Sequence, residues 1–327
     1  MTTKRERLQA AIAGEKVDRP PVALWRHFPV DDQDPVALAD ATLDYQAQFD
    51  FDFIKVTPAS SFCVKDWAVD DAWKGDPEGT REYTRYVIRE PEDWKRLRPL
   101  TATRGHLGKH LKCLAILQAR AGEDVPYIQT IFSPLSQAKH LAGEARLMEH
   151  LRREPAVVLE ALETITRTTT AYVESARAHG ISGVFYAAQQ ATYRLMDREA
   201  YARFGEPYDR RVLEAAGGLW LNVLHLHGEA VMFDLAATYP VQVVNWHDRE
   251  TAPSLREARR LTRAALCGGL RRWETMVVGT PEAIQAEAAD AVRQTRGRGF
   301  ILGTGCVVPV LAPRSNVRAA RLSVDCA

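Results

Sequence analysis

Cysteine is scarce, odd in number and scattered: Cys63, Cys113, Cys267, Cys306 and Cys326. Such a set is no disulfide framework, which excludes the small secreted scaffolds held by cross-links. No apolar run approaches the ~18 residues of a membrane helix. Met1 to Gly14 are charged and amphipathic and lack the apolar stretch of a signal peptide, so the cytoplasm is the expected compartment. Charge of one sign is missing as well. Lys and Arg number 43, Asp and Glu 42, and the net charge is +1. No strong field therefore draws nucleic acid or an anionic membrane. Neither an internal repeat nor a low-complexity linker divides the chain, so one domain over 1–327 is expected.

What is present is a soluble, core-forming composition. Of 327 residues 46% are hydrophobic and 26% charged, enough to bury a large core unaided. Thr3–Ala13 reads as an N-terminal helix closed by Gly14. Short apolar segments then recur, each followed by a helical stretch. They are Pro21–Trp25, Phe51–Val56, Tyr127–Phe132, Gly183–Ala187, Asn222–His227, Val241–Trp246, Ala265–Leu270 and Phe300–Leu302. Eight strand–helix alternations predict an α/β protein, a (β/α)₈ barrel. An open doubly wound sheet is the alternative. Its dinucleotide-binding version is weakened, because no Gly-x-Gly-x-x-Gly follows an early strand.

Residues 59–100 form an insertion after the second strand, on the catalytic face of such a barrel. The run Trp73–Thr80 reads as a turn and Arg81–Ile88 as an arm of a hairpin. This segment is expected to be either a lid carrying Trp67 and Trp73 or a flap over apolar surface.

The strongest local signal is Leu224-His225-Leu226-His227-Gly228. Side chains alternate along a strand, so the two imidazoles share one side. Gly303-Thr304-Gly305-Cys306 ends the last strand and brings a thiol to the same mouth. His225, His227 and Cys306, with a fourth position open, make the donor set of a catalytic zinc site. The alternative is a core histidine, a carbonyl-bonded histidine and a small buried cysteine.

At these residues the chain resembles the uroporphyrinogen decarboxylase (URO-D) superfamily. The likeness extends through Thr3-Lys4-Arg5-Glu6-Arg7-Leu8, Gly14–Val22, Phe51–Val56, Tyr201-x-x-Phe204-x-x-Pro207-Tyr208 and Gly299–Cys306, with Pro309 and Pro313-x-x-Asn316. It spans nearly the whole chain and implies a TIM barrel. One branch of the superfamily decarboxylates uroporphyrinogen without a cofactor. It carries an arginine-rich loop after the first strand and a Gly-His-Gly near the last. Here those places read Trp25-Arg26-His27-Phe28-Pro29 and Gly303-Thr304-Gly305, which argues against the porphyrinogen reaction. The other branch moves methyl groups between corrinoids and thiols on zinc held by His-x-Cys and a distant Cys. His225 and Cys306 match that pattern, while His227 stands where the branch has a cysteine.

The resemblance therefore implies a zinc-dependent methyltransferase with one Zn²⁺ per chain and a methylated corrinoid as co-substrate, carried by a partner protein. It also implies homodimers. The rival readings are a cofactor-independent carboxy-lyase and a non-catalytic tetrapyrrole-binding barrel. Asp52 matches a position that the superfamily uses near substrate. Asp52, Tyr186 and Asn245 are the catalytic candidates, and Arg26, His27, Lys55, Gln189 and His247 the substrate-binding ones. Each also has a plainer reading: Lys55 as the ion-pair partner of Asp52, Gln189 as a cap, Arg26 and His247 as surface groups.

Overall fold

The computed structural model describes residues 2–325. Seven strands form one curled parallel sheet: β1 (Ile54–Val56), β4 (Tyr127–Phe132), β5 (Gly183–Ala188), β6 (Val223–Leu226), β7 (Val243–Trp246), β8 (Ala265–Leu270) and β9 (Phe300–Thr304). They lie in that order, each hydrogen-bonded to the next. Every residue of these strands is buried. Helices cover the outer face, so the strands read as unbroken apolar runs rather than as alternating ones. At Gly183 only glycine fits, because a Cβ would lie 1.8 Å from the carbonyl oxygen of Leu221.

Pro21–Trp25, expected as the first strand, is not a regular strand. It makes a single parallel bridge, Val22 to Leu302. Leu302 N–H donates to Pro21 O at 2.8 Å, Ala23 N–H to Leu302 O at 3.0 Å, and Asp52 N–H to Val22 O at 2.8 Å. Two causes are visible. Pro20 and Pro21 have no N–H to give a ladder. The Val22 N–H is taken by the Asp52 carboxylate at 2.7 Å instead of by a neighbouring carbonyl. The same capture shortens the second expected strand, Phe51–Val56, to Ile54–Val56.

The helices follow their local signals. Thr3 and Glu6 form a capping box at the start of Lys4–Ile12. Pro155 occupies the first turn of Pro155–Arg177, whose Val158, Leu162, Ile165, Thr169, Tyr172 and Val173 recur at helical spacing and are buried. Within the insertion, β2 (Asp70–Ala72) pairs antiparallel with β3 (Glu82–Arg85), so the expected hairpin forms. No helix among the described residues is long and apolar enough to cross a membrane.

Candidate metal centre

His225 lies in β6 and His227 just beyond its end. Asn245 lies in β7 and His247 just beyond it, and Cys306 follows β9. All the strands run parallel, so these residues meet at one end of the sheet, where their C-termini converge. One ligand atom from each of His225, His227, His247 and Cys306 lies within 4.8 Å of the other three. His225 Nε2 is 3.4 Å from His227 Nδ1, and Cys306 Sγ is 3.8 Å from the same nitrogen. Gly305 permits this convergence. A Cβ there would fall 2.6 Å from the His247 Cα, so only glycine lets the Cys306 turn lie so close.

Hydrogen bonds outside the cluster orient two of the rings. The Asn245 amide donates to Cys267 O at 2.9 Å and to Thr304 O at 3.0 Å. That leaves its Oδ1 to accept from His225 Nδ1 at 2.7 Å, an alignment set by the register that places His225 opposite Asn245. Nε2 of His225 therefore carries a lone pair toward the cluster. His247 Nδ1 donates to Glu250 Oε2 at 2.9 Å. Its Nε2 is buried and has no hydrogen-bond partner. Carboxylate or amide partners of this kind are what orient metal-binding imidazoles.

The electrostatics favour a thiolate paired with a cation, either an imidazolium at His247 or a metal ion in place of its proton. Burial opposes ionisation of Cys306, but the surrounding His225, His227 and His247 outweigh it and hold the thiol well below its usual range. Burial also opposes charge on His247, yet Cys306 and Glu250 push it up to about 9. A thiolate ringed by three imidazoles, one nitrogen of them orphaned, fits a zinc-type ion in donor chemistry and in spacing.

The cluster opens into a cavity of about 220 Å³ lined by Trp25, His27, Lys55, Lys139, His140 and Phe185 among others. The Lys55 ammonium sits 4.6 Å from the Phe185 ring centroid and 6.0 Å from that of Trp25, and burial pushes its pKa down to about 7. Lys139 donates to Gln189 Oε1 at 3.1 Å. Lys55 donates to Thr57 Oγ1 at 3.3 Å, so the partners of both lysines among the described residues are neutral groups. The one lining carboxylate, Glu78, is engaged by Arg272 at 2.8 Å. Burial, then Lys55, pushes His27 down to about 4, so it is neutral.

Of the residues singled out in the sequence, His27, Lys55, Gln189, His225, His227 and Cys306 line this cavity, and Asn245 supports His225. His247 lies in the His/Cys cluster and does not line the cavity itself. Three candidates lie elsewhere. Asp52 is fully buried ahead of β1, at the opposite end of the sheet, bound to Arg7 and Arg19 at 2.8 Å each. Tyr186 points away from the cavity and donates to Asp209 at 2.6 Å, beside Tyr201 and Tyr239. The Arg26 guanidinium lies 5.8 Å from the Phe28 ring centroid, beside a separate small cavity. Trp67 and Trp73 do not line the cavity, whereas Tyr83 of the hairpin does. Sequence reading missed Lys139, His140 and Glu250. The available signal was a Lys-His pair inside the apolar helix Pro134–Ala142.

Comparison with known proteins bears on the family and the fold. A family model described as uroporphyrinogen decarboxylase (URO-D) matches residues 3–325. A methylcobamide:CoM methyltransferase, MtbA of Methanosarcina acetivorans, is 24% identical over 350 aligned positions, covering 99% of this chain and 97% of the relative. Among solved structures, a methyltransferase from Methanosarcina mazei superposes with a TM-score of 0.86 at 19% identity, covering 99% of this chain and 98% of that one. A B12-independent methionine synthase from Shewanella sp. W3-18-1 superposes with a TM-score of 0.61 at 12% identity, covering 88% and 85%. At those identities the structural likenesses establish the fold alone.

Proposed function

The chain belongs to the uroporphyrinogen decarboxylase family, and from that premise we propose a zinc-dependent methyltransferase that moves a methyl group between a corrinoid and a small thiol or related substrate. The chain is an enzyme, and its class is methyltransferase. The observation that carries the reading is the set of three imidazoles and one thiol whose ligand atoms lie within 4.8 Å of one another at the strand ends. The relative named methylcobamide:CoM methyltransferase supports it and supplies the corrinoid, carried on a separate protein.

Cys306 and two of the three imidazoles of His225, His227 and His247 would hold the metal, leaving the fourth position for substrate. Zinc bound by one thiolate and neutral imidazoles keeps a net positive charge, and when bound it supplies the Lewis acidity that holds a substrate sulfur as thiolate. The chain's own groups do the rest. Asn245 and Glu250 fix the tautomers of His225 and His247. Lys55 and Lys139, cations with no carboxylate partner, bind the anionic end of the substrate. Trp25 and Phe185 wall the cavity and exclude water. The hairpin, which places Glu78, Thr80 and Tyr83 on the cavity, serves as the lid. Pro21–Ala23 fills the eighth place between β9 and β1, so the architecture is a (β/α)₈ barrel in a single domain. Asp52 and Tyr186 act as supports of the fold.

Incubation of the zinc-loaded protein with methylcobalamin and 2-mercaptoethanesulfonate, with thioether formation followed by mass spectrometry, tests the proposal. We expect product that depends on zinc and disappears in Cys306→Ala. A protein that binds zinc yet methylates neither this thiol nor uncharged and carboxylated thiols of similar size would overturn it.

A further inference from the structure

The end of the sheet opposite the metal centre carries an unusual concentration of one side chain. Arg256, Arg259, Arg260, Arg293, Arg296 and Arg298 line a groove of about 570 Å³. Arg259 and Arg260 precede β8 and Arg296 and Arg298 precede β9, so the groove lies at the strand N-termini. The chain as a whole is nearly neutral, which makes the local excess conspicuous.

The protein does not neutralise this excess. Among the described residues only Arg293 meets a carboxylate, Asp290 at 3.5 Å, and Asp290 is already bound by Arg249 at 2.7 Å. Glu257, the nearest acid in sequence, is held in a capping box by Ser254. Arg259 is half-buried. Its Nη1 donates to the carbonyl oxygens of Ala264 and Gly299 at 3.3 Å each. Those bonds fix the guanidinium and leave its other donors for a ligand. Gly299 takes φ 56°, a left-handed conformation that favours glycine. Arg296 takes a left-handed conformation, φ 56°, at the end of helix Pro281–Thr295. Glycine or asparagine is the ordinary occupant of that position, so a long cation has been placed there against backbone preference. Charge on the helix C-terminus alone does not account for the groove, because one or two basic residues suffice for that purpose.

We propose that this groove is a second binding site, for a small polyanion bearing adjacent phosphate groups. One carboxylate would neutralise one guanidinium. A chain of two or three phosphates carries several charges in a compact body and presents paired oxygens to the planar donor forks of arginine. The concave shape, within the size range of small-molecule sites, suits such a ligand. The shared chemistry is the phosphate chain, whose source is either inorganic polyphosphate or a nucleoside triphosphate.

Isothermal titration calorimetry on the full chain, at a fixed ionic strength of about 0.15 M, tests this with inorganic tripolyphosphate, ATP and AMP. We expect one tripolyphosphate per chain, AMP much weaker, and a loss of about tenfold or more in Arg259→Ala. The exposed pair Arg260→Gln and Arg298→Gln should weaken binding similarly with the melting temperature unchanged. ATP binding like tripolyphosphate identifies the phosphate chain as the determinant, and clearly tighter ATP identifies a nucleotide; both sustain the proposal. Phosphates also chelate metals, so Cys306→Ala is the control and should bind tripolyphosphate like wild type. No binding, equal binding by the arginine variants, or binding abolished by Cys306→Ala would overturn the assignment.

Discussion

Nδ1 of His247 donates to Glu250 Oε2 at 2.9 Å, and the ring thereby commits its Nε2 to the cluster. The bond exists because the chain turns directly after β7, with Glu250 N–H donating to His247 O at 2.8 Å. Glu250 is in turn held below the usual carboxylate range, first by His247 and, against burial, by Arg272. Asn245, two residues earlier, performs the same service for His225. One strand end thus supplies one imidazole and orients another, which is how four donor groups from three strands come to a common point.

Metal affinity should follow these roles. Cys306→Ala removes the only thiol of the cluster and should weaken zinc binding by far more than Cys63→Ala, whose thiol is pushed up by burial and stays protonated. Glu250→Gln keeps the size of the side chain but loses the charge, and should cost ~10–100-fold in affinity. Competition with a chromophoric chelator measures all three. A Cys306→Ala protein that retains zinc as tightly as wild type would remove the metal site as described.

Stability should depend on pH through Asp209. This fully buried carboxyl accepts from Tyr186, Tyr201 and Tyr239, yet burial outweighs the three donors and raises its pKa from 3.8 to about 6. The folded state therefore binds the proton more tightly than the unfolded chain. Stability contributed by the protonated form is present below the unfolded value and declines as pH rises through 6, by on the order of 2–3 kcal/mol in all. Urea midpoints at pH 5 and 7 should show this decline in wild type and a smaller one in Asp209→Asn. Identical pH dependence in the two proteins would place the titration elsewhere.

The legible parts of the molecule were those set by local pattern. Two-residue spacing put His225 and His227 on one side, and apolar runs located seven sheet strands. The same spacing relates Asn245 to His247, so the fourth donor was present in the sequence as a signal; its facing depended on the turn to Glu250. Asp52 was ambiguous because its partners Arg7 and Arg19 lie 45 and 33 residues away, beyond any periodicity. A lone charge in an apolar segment reads alike whether it meets a substrate or an arginine. Lys139 was hidden for a related reason: a helix-borne lysine is ordinarily solvated, and only the fold turns it into the cavity.

Uroporphyrinogen should not be turned over. The cavity of about 220 Å³ offers Lys55 and Lys139 as its cationic side chains, too few for a substrate bearing many carboxylates. Each carboxylate buried without a partner costs several kcal/mol. Arg26, the single arginine at the place where the decarboxylase branch carries an arginine-rich loop, lines a neighbouring cavity instead. Assay of the purified protein should yield no coproporphyrinogen above background. Efficient conversion would restore the carboxy-lyase reading.

Asp52 offers the sharpest separation between a catalytic and a supporting role. Its side chain is fully buried and accepts from Arg7 Nη1 at 2.8 Å, Arg19 Nη1 at 2.8 Å and the Val22 N–H at 2.7 Å. Through these bonds it joins the N-terminal helix and the Pro21–Ala23 segment to the start of β1. Asp52→Asn keeps the shape and removes the charge, leaving Arg7 with only Asp18 and Arg19 with only Asp325 as charged partners. Because each arginine keeps one carboxylate, the expected cost is about 1–2 kcal/mol of folding stability, below that of a fully unpaired buried charge, read from the urea midpoint. Turnover per folded molecule should stay near wild type below the unfolding transition, because the carboxylate lies at the end of the sheet away from Cys306. If instead kcat collapses while the midpoint holds, Asp52 takes part in the chemistry and the supporting role assigned to it fails.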